Sequence, residues 1–229
     1  MTIRGDDTIV SYGQLAQRIR LLKQWLLGQQ VTCLGIRLDN EPNWVISDLA
    51  AMSAGISTIP ILQFFTPEQT RHLICHAEIN CVIANSDTVL PGLFSSAPEF
   101  CRPTGASSHM PRKITFTSGS TGQPKGVVLA NETLVTVANS ILTATSGLTI
   151  EKHLCVLPLS ILLENVAGLY APLIKGIDII VPSSSNVGLT GSSQLDLARC
   201  AQCLDTHQPH SLILVPQLLA ALTSTLSLW

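Results

Sequence analysis

The stretch TFTSGSTGQPKGVVLA, Thr115 to Ala130, sets glycines, hydroxyl side chains and one lysine between two short runs with strand character. Gly119, Gly122 and Gly126 allow positive φ and let a ligand approach the backbone without a Cβ in the way. Thr117, Ser118, Ser120 and Thr121 add hydroxyl donors, and Lys125 adds a mobile cation. Several N–H groups converging with hydroxyls and an ammonium suit an oxyanion such as a triphosphate. The spacing is not that of a Walker A loop, which needs Gly, four residues and then Gly-Lys-[Ser/Thr]. Here Pro124 precedes Lys125, Gly126 follows it, and Val127 to Leu129 reads as strand rather than helix. The loop is therefore expected to join two strands. A hairpin tip solubilised by Ser and Thr is the structural alternative, although such a tip needs neither the lysine nor three glycines.

Outward from the loop, strand and helix signals alternate. Upstream, Ile9-Val10 reads as a strand, and Leu15, Ile19, Leu22 and Leu26 fall at helical spacing up to Gly28. Val31 to Leu38 reads as a strand, Asp39 to Pro42 as a turn, Trp44 to Ala54 as a helix and Ile56 to Ile61 as a strand. Thr66-Pro67-Glu68-Gln69 carries the hydroxyl cap, the early proline and the Gln three residues on that start a helix. Cys81 to Ala84 is another strand, and residues 85–110, rich in Pro, Ser and Gly, read as a long connection. Downstream, a helix is expected from Asn131 to about Ser146, a strand over Leu154 to Leu157, a helix over Glu164 to Ile174 and a strand over Ile177 to Val181. Ser183 to Ser193 reads as a flexible excursion. Leu195 to Leu204 is an expected helix, Leu212 to Val215 a strand, and Pro216 opens a helix that runs into the chain end. Alternation of this kind predicts an α/β fold with doubly wound, mostly parallel sheets. In sequence order it divides into segments 1–84 and 111–229 flanking the connection.

Composition limits the partners. Charged residues make up 12% of the 229 residues and AVILMFWYC residues 46%, with a net charge of −2. No basic field for nucleic acid follows from these values, and no run of like charge supplies one locally. No apolar run of signal-peptide length follows Met1, and the most apolar windows, Leu154 to Ile174 and Ser211 to Trp229, each break into a strand-like and a helix-like piece. A cytoplasmic protein without a membrane span is expected. Seven cysteines fit reduced thiols. Cys200, Cys203 and His207 form a C-x-x-C-x-x-x-H run with zinc-ligand spacing, but the two thiols share a helical face with Leu197, the usual setting of small buried cysteines. No metal site is assigned there.

The segment Thr117 to Gly126 resembles the phosphate-binding signature of the adenylate-forming superfamily, which comprises acyl-CoA synthetases, luciferases and the adenylation domains of peptide synthetases. Around it, VSYGQL (Val10 to Leu15) resembles the family's opening T-Y-x-x-L, Leu157-Pro158-Leu159-Ser160 followed by Glu164 resembles a motif of fatty acyl-CoA synthetases, and VPQLL (Val215 to Leu219) resembles its V-P-x-x-L step. The resemblance implies an N-terminal, AMP-binding part of a ligase. Such an enzyme activates a carboxylic acid with ATP to acyl-AMP, then passes the acyl group to CoA or a carrier-protein thiol. It further implies that Thr117, Ser118, Gly119, Ser120, Thr121, Gly122 and Lys125 hold the ATP phosphates, with Mg²⁺ completing the clamp.

Two departures stand out. Ile161 aligns with a position that is often a histidine near the carboxylate, and an isoleucine there can neither donate a hydrogen bond nor change charge. Ile161 and Glu164 are the candidate acyl-site residues, each with a plain structural alternative: an apolar helix start and a first-turn acid. The family's adenine-binding segment, its Mg²⁺-holding acid, its ribose-binding aspartate and its C-terminal domain with the catalytic lysine have no counterpart in 1–229. The chain alone is therefore expected to be inactive and to need the remainder of its domain. The other reading is a short, non-catalytic binding module that works with a partner chain.

Overall fold

The computed structural model describes residues 1–84, 112–117, 125–191 and 194–226. Along the chain run β1 (Thr2–Arg4), β2 (Ile9–Ser11), α1 (Tyr12–Gly28), β3 (Cys33–Ile36), α2 (Pro42–Ala54), β4 (Ser57–Pro60), α3 (Pro67–His76) and β5 (Cys81–Ile83). There follow β6 (Arg112–Thr117), β7 (Lys125–Ala130), α4 (Asn131–Ala144), β8 (Lys152–Leu154), a π-helical segment (Glu164–Tyr170) and α5 (Ala171–Lys175). The chain continues with β9 (Asp178–Ile180), α6 (Ser184–Val187), β10 (Leu189–Thr190), β11 (Gln194–Leu195), α7 (Leu197–His207), β12 (Ser211–Leu212) and α8 (Pro216–Leu226).

These elements form two compact units that interleave in sequence. One comprises Met1–Tyr12, Asp39–Pro42 and Val135–Trp229, the other Gly13–Leu38 and Asn43–Leu134. Each is built on a five-stranded, mostly parallel sheet, the α/β architecture that the alternating pattern predicts. The units do not follow sequence order, because the N-terminal strands and the short turn 39–42 join the unit made chiefly of the C-terminal half.

In the unit holding β3 to β7 the strand order is β5-β3-β4-β6-β7, parallel except for β7, which returns antiparallel to β6. Helices α2 and α3 provide the crossovers that parallel pairing demands. The N-terminus of α3 is the expected capping box, with the Gln69 N–H donating to Thr66 Oγ1 at 3.2 Å and the Thr66 N–H to Gln69 Oε1 at 2.9 Å. Cys33, Ile59, Ile61, Leu73 and Ile79 form the buried cluster, with Ile114 and Phe116 of β6 packed against it.

The other sheet has the order β12-β8-β9-β1-β2, with only the β1–β2 pair antiparallel. Strand β1 escapes sequence reading because a three-residue strand with one buried side chain, Ile3, carries no periodicity. Tyr12 ties its unit together by donating its hydroxyl to the Ile177 carbonyl at 2.7 Å. Burial and the nearby Asp178 push the Tyr12 phenol up to about 12.

Three local expectations change. The predicted strand over Leu154 to Leu157 ends at Leu154, because the Leu157 N–H leaves the ladder and donates to a Glu164 carboxylate oxygen at 3.1 Å. The predicted helix over Glu164 to Ile174 is π-wound before it becomes α-helical and stops at Gly176, whose φ of +74° makes the left-handed cap. Pro172 explains part of this, since it lacks the N–H that an α-turn would offer to the Gly168 carbonyl. The expected excursion from Ser183 is largely ordered structure over residues 183–191: Ser183 caps α6, Asp39 accepts from the Ser184 hydroxyl at 2.6 Å, and Val187 and Leu189 are buried.

Candidate functional site

Strands β6 and β7 pair in register from Arg112 opposite Ala130 to Thr117 opposite Lys125. That pairing carries both ends of the glycine and hydroxyl segment into one hairpin, as the failed Walker spacing predicts. Ser118, Gly119, Ser120, Thr121 and Gly122 lie outside the described residues, whereas Thr117 and Lys125 face each other as the last ladder pair. Gly126 differs from expectation. It is a strand residue opposite Phe116, and a Cβ there would meet Ile114 Cγ2 at 3.1 Å and the Phe116 ring at 3.2 Å. Its lack of a side chain therefore serves cross-strand packing rather than a turn.

Lys113 on the same β6 was not legible as special. Its Nζ lies 2.7 Å from Asp48 Oδ1 of α2, with both side chains 1% exposed, and 5.6 Å from the Trp44 ring centroid. Burial pushes the Lys113 ammonium below its ordinary pKa, opposed by the Asp48 carboxylate. The pair anchors the strand that ends at Thr117.

Ile161 and Glu164 belong to the other unit, in the turn after β8. Ile161 is half-buried; its N–H donates to the Pro158 carbonyl at 2.9 Å, and its carbonyl accepts from the Asn165 N–H at 3.0 Å. Asn40 holds this turn from the segment read as a simple loop. Its Nδ2 donates to the Leu157 carbonyl at 2.9 Å and its Oδ1 accepts from the Leu159 N–H at 2.7 Å. An asparagine in D-N-E-P fits a turn equally well, so no sequence signal separates the two roles.

Glu164 is fully buried. Oε1 lies 3.2 Å from His153 Nε2, and Oε2 accepts from the Leu157 N–H. His153 Nδ1 lies 2.9 Å from Ser211 Oγ on β12, and Cys155 Sγ donates to the Gly168 carbonyl at 3.6 Å. Burial raises the Glu164 carboxyl, against the opposing pull of His153 and the Leu157 N–H, and burial followed by Glu164 raises the Cys155 thiol. Gly168 is required here: a Cβ would collide with Glu164 Oε1 and come within 2.8 Å of His153 Nε2. Gly168→Ala is expected to cost about 1–3 kcal/mol through overpacking, read as a lower urea midpoint; an unchanged midpoint would show that the cluster yields freely. Beside it lies a cavity of about 170 Å³ lined by Ile141, Leu142, His153, Ala171, Ser211 and Ile213 among others.

On α7, Cys200 and Cys203 are buried and burial raises both thiols, Cys203 to about 11. His207 does not join them in a three-donor cluster; among the described residues the only such group is His153, Cys155 and Glu164.

Comparison with known proteins fits this architecture. The family model described as "AMP-binding enzyme" matches residues 1–228. The chain belongs to the AMP-binding enzyme family. Among curated relatives, a dimodular nonribosomal peptide synthase of Bacillus subtilis is 23% identical over 206 residues, covering 80% of this chain and 8% of the relative. A CoA ligase of Gibberella moniliformis is 25% identical over 207 residues, covering 76% and 34%. The peroxisomal long chain acyl-CoA synthetase 7 of Arabidopsis thaliana is 25% identical over 181 residues, covering 58% and 26%. The chain thus spans about a third or less of the length of these relatives. Among solved structures, O-succinylbenzoate Coenzyme A synthetase (MenE) from Bacillus subtilis in complex with AMP shares the fold with a TM-score of 0.73 at 16% identity, covering 97% of this chain and 60% of that one. VinN does so with a TM-score of 0.75 at 18% identity, covering 99% and 60%. No helix among the described residues is long and apolar enough to cross a membrane.

Proposed function

We propose that the intact protein is an ATP-dependent, AMP-forming ligase that joins a carboxylic acid, fatty or other acyl, to a thiol of CoA or of a carrier protein. The β6–β7 hairpin carries this reading. It pairs Thr117 with Lys125 at the end of the β6–β7 ladder, and the sequence between them carries Ser118, Gly119, Ser120, Thr121 and Gly122. The donor set of that loop is hydroxyls, amides and an ammonium, without a carboxylate, and so fits the phosphates of ATP and not a bare cation. Mg²⁺, when bound with ATP, would screen phosphate charge, and its protein ligand would come from outside residues 115–130. The loop's own work is to orient the phosphates and to stabilise charge leaving on pyrophosphate.

For the acid, Ile161 offers apolar surface where a histidine would offer a donor, which favours an acyl chain over a polar head near that point. Glu164 serves the same segment from its buried position. The intact protein is expected to show carboxylate-dependent ATP–pyrophosphate exchange across a panel of fatty, aryl and amino acids, and residues 1–229 alone are expected to show none. Exchange by the isolated chain would overturn the need for the remainder of the domain. Exchange by neither, with a folded intact protein, would leave the partner-dependent binding module as the function.

A further inference from the structure

Three buried side chains, none of them in the glycine and hydroxyl segment read for ATP, meet in the unit containing β8. His153 and Cys155 are two residues apart on an extended segment and so point to one side of it, and Glu164 comes in from the start of the π-helical segment. Their donor atoms, one nitrogen, one sulfur and one oxygen, all lie within 4.8 Å of one another, and all three residues are buried. Protein interiors hold such groups when they are paired or when they coordinate a metal.

Three further features favour the metal. His153 Nδ1 is held by Ser211 Oγ at 2.9 Å and Glu164 Oε2 by the Leu157 N–H at 3.1 Å, which leaves Nε2 and Oε1 directed inward. Outer bonds of this kind fix the ring and carboxylate of metal ligands. Nε2 and Oε1 are 3.2 Å apart, close to the separation of about 3.3 Å set by two zinc bonds of ordinary length at a tetrahedral angle. The missing Cβ at Gly168 keeps both atoms clear, since it would collide with Oε1 and come within 2.8 Å of Nε2.

We propose that His153 Nε2, Cys155 Sγ and Glu164 Oε1 form a binding site for a borderline divalent cation of the zinc class, which fastens the end of β8 to the π-helical segment. The mixed nitrogen, sulfur and oxygen set excludes Mg²⁺ and Ca²⁺, which take oxygen ligands. Water takes the fourth position, supplied from the cavity that His153 lines. On binding, the ion takes the place of the hydrogen between His153 Nε2 and Glu164 Oε1, and that proton and the Cys155 thiol proton both pass to solvent as the bonds to the metal form.

The chain of residues 1–229, purified without a metal-affinity tag and without chelator, is expected to carry about one zinc ion per chain by elemental analysis. Replacement by Co²⁺ should give a thiolate-to-cobalt charge-transfer band. Cys155→Ser and His153→Gln should remove the band and the zinc, while Cys200→Ser and Cys203→Ser keep both; circular dichroism checks that each variant is folded. Wild-type protein that takes up neither ion overturns the proposal without recourse to any variant. A band that survives Cys155→Ser, or is lost in Cys200→Ser, places the ion elsewhere and overturns it equally. None of these readouts depends on ATP or acid turnover, so they stand apart from the ligase reading.

Discussion

Replacing Asp48 with alanine is expected to destabilise the unit built on β3 to β7 by about 3–5 kcal/mol, the usual cost of removing one partner from a buried ion pair. Lys113 would keep its charge inside a site that is 1% exposed, beside Trp44, which is fully buried. Desolvation already pushes this ammonium toward its neutral form, and the carboxylate at 2.7 Å is what opposes that push. Loss of the Lys113 proton would be the other outcome, limiting the cost but weakening the hold on β6. The double replacement Asp48→Leu with Lys113→Met should recover most of the stability, because two apolar side chains of similar volume carry no desolvation cost. Urea unfolding followed by tryptophan fluorescence measures both. A single variant within 1 kcal/mol of the wild type, as an order-of-magnitude threshold for a surface pair, would show that the pair is dispensable. Lys113 pairs with Thr58 of β4 on one side and Leu129 of β7 on the other, so disorder at this residue would spread to the hairpin that presents the glycine and hydroxyl loop.

How much of this was legible in sequence depends on the range of the interaction. The capping box at Thr66 and Gln69, the pairing of β6 with β7 and the helix beginning at Pro216 are local, and residue spacing specifies them. The family signature likewise lies within ten consecutive residues. The contacts that organise the interior are long-range: Asp48 meets Lys113 across 65 positions, Asn40 meets Leu157 across 117, and Asp178 accepts from the Thr2 N–H across 176. No periodicity encodes such pairs. A lone acid in the apolar helix VISDLAAM and a lone lysine entering an apolar strand are each unusual, and reading them together is the one signal that could have joined Asp48 to Lys113. The π-helical segment failed for a different reason. Its side chains keep an apolar, helical pattern, and its winding depends on Pro172 and on the bonds of Glu164, which only the fold supplies. Gly126 shows the converse error, since a glycine beside a ligand loop invites a functional reading while its strand partner Phe116 explains it.

Changing Lys125 to alanine together with Ser118 to alanine in the intact protein is expected to lower kcat/KM for ATP by about 10²–10³, the loss typical when preorganised donors to developing charge are removed. Six ladder pairs from Arg112–Ala130 to Thr117–Lys125 fix both ends of the loop. The ladder thus gives the segment between Thr117 and Lys125 paired attachment points, and donors held in advance stabilise charge moving toward pyrophosphate without the cost of reorganising. The defect should therefore appear in ATP use and leave the KM for the carboxylic acid nearly unchanged, since the acid does not contact the leaving phosphates. Val127→Thr serves as the control: Val127 is 44% exposed on β7, threonine retains the strand preference of valine, and its kinetics should match the wild type. Equal losses for ATP and acid would point to a hairpin that has come apart rather than to missing donors, and urea unfolding of the variant separates these cases. Unchanged kinetics in the double variant would return the loop to a solubilised hairpin tip. The ligase reading would then have to rest on the family match alone, without the geometry that now supports it.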